Sequence, residues 1–391
     1  MLNLLETFLS LKSIWKELRL RKLRITTIVG TRPEVIRLSA IIPLFEKYFE
    51  HRLIHTGQNS ANFMKDVFFK ELGIHKPDLE IQLQNDSLAT NLASIFVNVE
   101  RELVDNRPDA VVVLGDTNSA LSVIIAKRMG VPVYHLEAGN RSFDPNVPEE
   151  INRKLVDHSS DFNLVYSEHA RRNLLNEGIS PRNICLIGSP MNEVISRNFK
   201  AIQESQILKH LNLKEHEFFV VSAHRQENID SSERLTSAVS MLNEVAETFG
   251  LPIVLSTHPR IKEKLEKFEL KTHEKIILHE PLGFFDYCKL QKNSLITISD
   301  SGSVSEESVI LGFKAITLRD SMERPEALEA GSILMNGINS GSLVSAINFR
   351  LESEVGQNPP SEYLIKDSSI RTVNFILSTI NNFHFWSGLR K

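Results

Sequence analysis

The chain has 391 residues, 41% of them hydrophobic and 24% charged, the balance of a soluble globular protein. It is too long for one ordinary core and fits two domains of roughly 150–200 residues each. Its 45 basic and 49 acidic residues leave a net charge of −4, so no basic excess favours bulk nucleic-acid binding. Two cysteines, Cys185 and Cys288, fall in segments that read as strand and helix; they suit a reducing, cytoplasmic compartment and argue against a disulfide framework.

The opening MLNLLETFLSLKSIWKELRLRKLR is amphipathic, basic towards its end and broken by charge every few residues. It lacks the apolar stretch and cleavage site of a secretory signal, and no run in the chain reaches the roughly 18 apolar residues of a membrane span. It reads as an extra helix on the body, a frayed extension, or a helix lying on a membrane surface. From Ile25, β-branched runs alternate with amphipathic stretches: ITTIVG leads to PEVIRLSAIIPLFEKYF, HRLIHTG to a helix around NFMKDVFFKELG, AVVVLG to SALSVIIAKRMG, and VPVYHLEAG follows. Such alternation predicts a parallel sheet covered on both faces. After a polar connector near Arg197–Gln206 the pattern restarts, with FFVVSAH, PIVLSTH, KIILHEP, SLITISD and KAITLRD as further strands. The predicted organisation is an α/β protein: an extension over 1–23, a Rossmann-like domain over 24–195, a second over 206–366, and a helical tail over 367–391 that docks back on the body.

Each polar cluster follows a strand: GTRPE, LGDTNS, HLEAGNR, SAHRQEN, STHPR, HEPLG and SDSGS. In open α/β sheets that edge binds ligands, so the clusters describe one cleft between two domains. GTRPEVIR has neither G-x-G-x-x-G nor a Walker lysine, which removes the dinucleotide and triphosphate fingerprints. Pro33 suits a first helical position, and Arg32 either caps that helix or holds an anion with it. In SDSGSVSEES, Ser301, Gly302 and Ser303 open a helix either as simple caps or as a diphosphate cradle. Glu307, one turn further, could take two sugar hydroxyls, and Arg324 adds a cation nearby.

HLEAGNRSFDPNVPEEINR gathers Glu137, Glu149 and Arg153 directly behind a strand, and Asp116 ends another. Arg153 follows Glu149 at i+4, where an ordinary helical ion pair is the plain expectation. His224 comes from the second half and could meet these acids; His135 and His258 read mainly as structural. No H-E-x-x-H or C-x-x-C spacing points to a metal.

GTRPEVIRLS, VLGDTNSAL, HLEAGNRSFDPNVPEEINR, SAHRQENI, SDSGSVSEES and ERPEA occur in order over about Arg24–Glu329. Together they resemble the non-hydrolysing UDP-N-acetylglucosamine 2-epimerase family. The resemblance implies a fold similar to GT-B glycosyltransferases and inversion at C2 of a UDP-activated N-acetylhexosamine. UDP would leave, a 2-acetamidoglucal would form, and UDP would be re-added, with no cofactor. By position, Asp116, Glu137, Glu149 and His224 fall on the family's catalytic residues. Arg32, Arg37, Arg153, Tyr287, Ser301, Gly302, Ser303, Glu307 and Arg324 fall on its substrate-binding positions. The family also implies a homodimer. Arg37 stands where many members have lysine, Ser303 replaces a glycine, and after Gln58 the glutamine that binds an activating second substrate is missing. The wording resembles a capsule and O-antigen branch, which implies a modified sugar: UDP-2-acetamido-2,6-dideoxy-L-talose converted to UDP-N-acetyl-L-fucosamine. UDP-N-acetylglucosamine or a UDP-diacetamido-uronate are the alternatives, and a GT-B glycosyltransferase is the competing activity.

Overall fold

The computed structural model describes residues 22–58, 69–83, 87–222, 231–256, 259–338, 342–353 and 358–388. The N-terminal extension, most of the helix expected around NFMKDVFFKELG, and both His224 and His258 lie outside them. Short runs of β-branched residues, buried on both faces, build two all-parallel sheets. The first contains β1 (Arg24–Val29), β2 (Glu50–His55), β3 (Leu79–Glu80), β4 (Ala110–Leu114), β5 (Val133–Leu136), β6 (Phe162–Val165) and β7 (Ile184–Leu186). Their spatial order is β3-β2-β1-β4-β5-β6-β7. The second contains β8 (Phe219–Ser222), β9 (Ile253–Ser256), β10 (Ile276–His279), β11 (Ile296–Ser299), β12 (Ala315–Thr317) and β13 (Ile333–Met335), ordered β10-β9-β8-β11-β12-β13. Each sheet reverses its winding once, between β1 and β4 and between β8 and β11. Those two reversals are where a Rossmann-like sheet opens a crevice. Two such units facing each other make the GT-B-like architecture that was expected.

Several elements differ in detail from the sequence expectation. The stretch PEVIRLSAIIPLFEKYF, read as one helix, forms two, Arg32–Leu38 and Ile42–Tyr48. Pro43 has no N–H to continue the first helix and instead opens the second. The strands β3, β6 and β13 have no counterpart among the predicted runs, being two to four residues long, whereas β7 is the strand expected around Cys185. The connector near Arg197–Gln206 is largely the end of a helix, Met191–Glu204, which buries Ile195 and Ile202. Cys185 lies in β7 and Cys288 in a helix, Phe284–Asn293, and both are free thiols. Among the described residues no helix is long and apolar enough to cross a membrane.

The tail returns to the first sheet. Its helix, Ser368–Thr379, lays Phe375 edge-on against Tyr134 and Phe162, at centroid distances of 6.4 and 5.7 Å. Thr379 and Tyr134 share a hydrogen bond of 2.8 Å, and the Glu193 carboxylate accepts from the Ser369 N–H at 3.0 Å and its hydroxyl at 2.5 Å. A chain end from beyond the second domain thereby completes the core of the first, where Ile376 is fully buried. Ile376→Ala removes that packing and should cost about 2–5 kcal/mol in urea unfolding. A loss below about 0.5 kcal/mol would show that the tail merely rests on the domain.

Candidate active site

At the carboxyl ends of β1 and β11, loops from the two sheets line an open cleft. Arg32, Pro33, Ile36 and Arg37 line one wall, and Ser222, Tyr287, Ser301, Ser303 and Glu307 the other. The structure thus brings Arg32 of the first domain opposite Ser301, Ser303, Glu307 and Tyr287 of the second. Burial lowers the Arg32 guanidinium, and the fields of Tyr287 and Glu307 raise it again, which places all three in one electrostatic environment.

Below the cleft lies a buried ion cluster. Arg37 Nε is 3.2 Å from Glu137 Oε2, and its Nη2 is 2.7 Å from Glu306 Oε2. From the second domain, Arg324 Nη2 donates to Glu137 Oε1 at 2.5 Å, and its Nε lies 3.9 Å from Glu306. The Ser189 hydroxyl donates to the other Glu306 oxygen. Two guanidinium groups and two carboxylates therefore alternate across the domain boundary with almost no exposure. Burial alone would raise Glu306, but Arg37, then Arg324 and Ser189, outweigh it and hold the carboxyl below its ordinary range.

Glu137 is held in an unusual backbone. Its φ is +66°, the left-handed region that a non-glycine residue enters at a cost of order 1–3 kcal/mol. Two residues on, Gly139 has φ +81°, and a Cβ there would fall 2.3 Å from the Ala170 carbonyl oxygen. The turn is backed by Asp157, which meets the Gly139 N–H at 3.2 Å, Arg141 Nη1 at 2.7 Å and His135 Nδ1 at 2.8 Å. His135 Nε2 reaches the Gly115 carbonyl at 2.8 Å, so this histidine is a structural post beneath two functional loops, as expected. The strain thus aims Glu137 off the end of β5 into the space between the domains.

Asp116 is held by Arg153, whose Nε and Nη2 approach one carboxylate oxygen at 2.8 and 2.7 Å. The expected i+4 pair of Arg153 with Glu149 is corrected here: Arg153 pairs with Glu150 at i+3, 3.0 Å away. Glu150 is drawn inward by the Ser142 N–H at 2.9 Å and the Phe143 N–H at 3.3 Å. Glu149 sits half-buried in the first turn of the helix Pro148–Ser159 and makes no ion pair among the described residues.

The turn Ser301–Ser303 precedes the helix Val304–Leu311, with Ser303 at the N-cap and its hydroxyl 2.9 Å from that of Ser301. A Cβ on Gly302 would meet Glu323 Oε1 at 2.4 Å and Arg324 Nη1 at 2.5 Å. The missing side chain lets the turn lie directly on the arginine. Glu307 accepts from Gln291 Nε2 at 2.6 Å, and burial raises its carboxyl. Arg324, expected at the ligand, contacts Glu137 and lies against the underside of this turn. Glu306, Ser189, Gln291, Arg319 and Glu323 were not singled out from the sequence. Only the doubled acids of SEES and the ERPE motif carried a signal for any of them. Arg319 is within 2.5 Å of Glu323. Burial would raise Glu323, but Arg319, then Arg153 and Arg324, hold it well below the carboxylate range. An alternating chain of charge thus runs from Asp116 through Arg153, Glu323 and Arg324 to Glu137.

Comparisons with known proteins identify the family. The family model for UDP-N-acetylglucosamine 2-epimerase matches residues 45–377. A solved UDP-N-acetylglucosamine 2-epimerase from Rickettsia bellii is 38% identical, covers 93% of this chain and 98% of its own, and superposes with a TM-score of 0.86. A Methanocaldococcus jannaschii UDP-GlcNAc 2-epimerase, solved in complex with UDP-GlcNAc and UDP, is 35% identical, with coverage of 91% and 99% and a TM-score of 0.85. A UDP-2,3-diacetamido-2,3-dideoxy-D-glucuronate 2-epimerase from Pseudomonas aeruginosa is 32% identical over 83% of this chain and 91% of its own length. The family match and the relatives define an isomerase acting on a nucleotide sugar. The chain belongs to the UDP-N-acetylglucosamine 2-epimerase family and is a UDP-sugar 2-epimerase.

Glu306→Ala should cost about 3–5 kcal/mol in stability, because it leaves two buried guanidinium groups without their shared acceptor. The same network sets an acid limit. Glu306 and Glu323 have lowered folded-state values, so their contribution is complete above the unfolded carboxylate value, about 4.3, and is lost as pH falls through the lowered ones. Urea midpoints measured from pH 7 down to pH 3 should therefore fall steeply in the native protein and more gently in Glu306→Gln. Parallel curves would assign the acid sensitivity to other groups.

Proposed function

We propose that this chain inverts C2 of a UDP-N-acetylhexosamine by eliminating and re-adding UDP. The observation that carries the reading is Glu137, strained off the end of β5 and held by one arginine from each domain beside the cleft. UDP leaves with the C1–O bonding pair, and the sugar becomes cationic at the anomeric carbon, where the carboxylates of Glu137 and Asp116 stabilise it. One acid then takes the C2 proton to give the 2-acetamidoglucal. For the other epimer, a proton is delivered to the opposite face and UDP adds back to C1, so atoms and charge balance without an oxidant. Positioned acid–base groups supply this exchange, and Glu149 and His224 complete the set assigned by position. Arg32 and the N–H groups of Ser301–Ser303 suit the diphosphate, Tyr287 the uracil, Gly302 the close approach and Glu307 the ribose.

For the sugar, UDP-N-acetylglucosamine is the reading favoured by the bound ligand of the Methanocaldococcus jannaschii neighbour. The 6-deoxy-L-talosamine nucleotide is the second reading, and the diacetamido-uronate named for the Pseudomonas aeruginosa relative the third. The guanidinium of Arg37 is engaged with Glu137 and Glu306, a two-acid bridge that a lysine point charge makes poorly. Its place in the sequence therefore bears on the ion cluster more than on the sugar. That leaves the missing glutamine after Gln58 as the main support for a modified substrate. A homodimer in the cytoplasm, supplying capsule or O-antigen synthesis, is the setting that goes with these readings.

NMR in D2O tests the reaction. Both epimers should acquire solvent deuterium at C2 without added NAD or metal; turnover that keeps C2 protiated would instead fit a glycosyltransferase. Glu137→Gln and Asp116→Asn should each lower turnover by at least about two orders of magnitude, and near-normal rates in both would remove them from the chemistry. Direct competition of the three nucleotide sugars ranks the substrates: the highest specificity constant for UDP-N-acetylglucosamine supports the first reading, and a higher one for either rival overturns it.

A further inference from the structure

A second constellation lies at the opposite edge of the first sheet, by the N-terminal ends of β1 and β2. Glu46 comes from the helix Ile42–Tyr48, His51 from β2, and His75 from the segment leading into β3. One ligand atom from each lies within 4.8 Å of the other two. His75 Nδ1 is 2.5 Å from Glu46 Oε1, and the two imidazoles meet edge to face with centroids 5.7 Å apart.

The far nitrogen of His51 is already held, and that of His75 faces a carboxylate just beyond hydrogen-bond distance. His51 Nε2 is 2.9 Å from Thr27 Oγ1. His75 Nε2 faces Asp78 Oδ2 at 3.6 Å, and that same oxygen accepts from the Leu53 N–H at 2.8 Å. Metal-bound histidines characteristically have the non-ligating nitrogen fixed by such a neighbour. His51 Nδ1, by contrast, is buried with no hydrogen-bond partner among the described residues, a costly state for a polar atom. An ordinary histidine–glutamate ion pair explains the contact between His75 and Glu46 but not this orphaned nitrogen.

We propose that Glu46, His51 and His75 form a zinc site, with Nδ1 of each imidazole and one Glu46 oxygen as ligands and water in the fourth position. Two imidazoles and one carboxylate suit zinc better than calcium or magnesium, which prefer oxygen ligands. Around zinc, ligand atoms about 2.0–2.2 Å from the ion stand roughly 3.3 Å apart. Glu46 Oε1 and His75 Nδ1, 2.5 Å apart, must part to admit the ion, and their side chains, 44% and 35% exposed, have the freedom to move. A neighbouring cavity, bounded by Arg24, His51, Arg52 and Asp78, reaches one of the three ligands of the ion. Arg52 is paired with Glu102 at 2.8 Å and so does not oppose it. Zinc here clips the helix Ile42–Tyr48 and the approach to β3 onto β2. Lying at the far edge from the cleft, it takes no part in epimerisation.

Metal-free full-length protein, without an affinity tag, is titrated with zinc chloride and followed by calorimetry and thermal unfolding. One equivalent per chain should bind and raise the melting temperature, and cobalt in its place should give the visible bands of a tetrahedral nitrogen–oxygen site. His75→Asn and Glu46→Gln, both at accessible side chains, should weaken zinc by at least about 100-fold, the upper end for losing even an outer partner. UDP-sugar turnover should stay unchanged in both, which shows that they fold. Absence of a stoichiometric zinc, or equal affinity in both variants, would overturn the site.

Discussion

The shared contact of Arg37 and Arg324 with Glu137 and Glu306 is the interaction on which the rest of the molecule depends. Each charge in it is nearly dry, and none would be tolerated there alone; removing any one leaves its neighbours uncompensated. Two of the four groups come from each domain, so the cluster fixes how the sheets face each other as well as where Glu137 points. The strained backbone at Glu137 is kept by the same contacts, with Gly139 and Asp157 behind it. Stability and positioning are therefore one problem in this protein.

Chemistry follows from that placement. The proposed elimination and re-addition requires a leaving diphosphate and a cationic sugar to be held in one space until the diphosphate returns. Against burial, Arg37 and Arg324 hold the Glu306 carboxyl below its ordinary range from beneath the cleft, without occupying the space above it. The serine turn needs a glycine at 302 because the arginine beneath it is so close. The serine turn, Arg324 and Glu137 consequently form a stack running from the cleft towards the core.

Much of this could be read from residues in order, and the failures are specific. Strands such as AVVVL were legible because they are continuous apolar runs, whereas ILM and LE are too short to rise above loops. The loop clusters were legible because each follows a strand end. Their partnerships were not: Arg153 had an acid at i+4 and took those at i+3 and in another loop, because Glu150 is turned inward by the Ser142 and Phe143 amides. Glu306 was passed over beside Glu307, since adjacent helical residues face different ways and only packing tells which meets Arg37. His51 and His75 share no motif spacing; a parallel sheet and a turn bring them together. The return of the tail to Tyr134 is equally a product of topology.

The central claim is that one cluster couples the domains through Glu137, and a double-mutant cycle on Glu137→Gln and Arg324→Gln measures it. Unfolding free energies of the native protein, both single variants and the pair should give a coupling above about 1 kcal/mol, as expected for charges in direct contact. Additivity within about 0.5 kcal/mol would mean the two groups do not depend on each other, and the account would fail at its base.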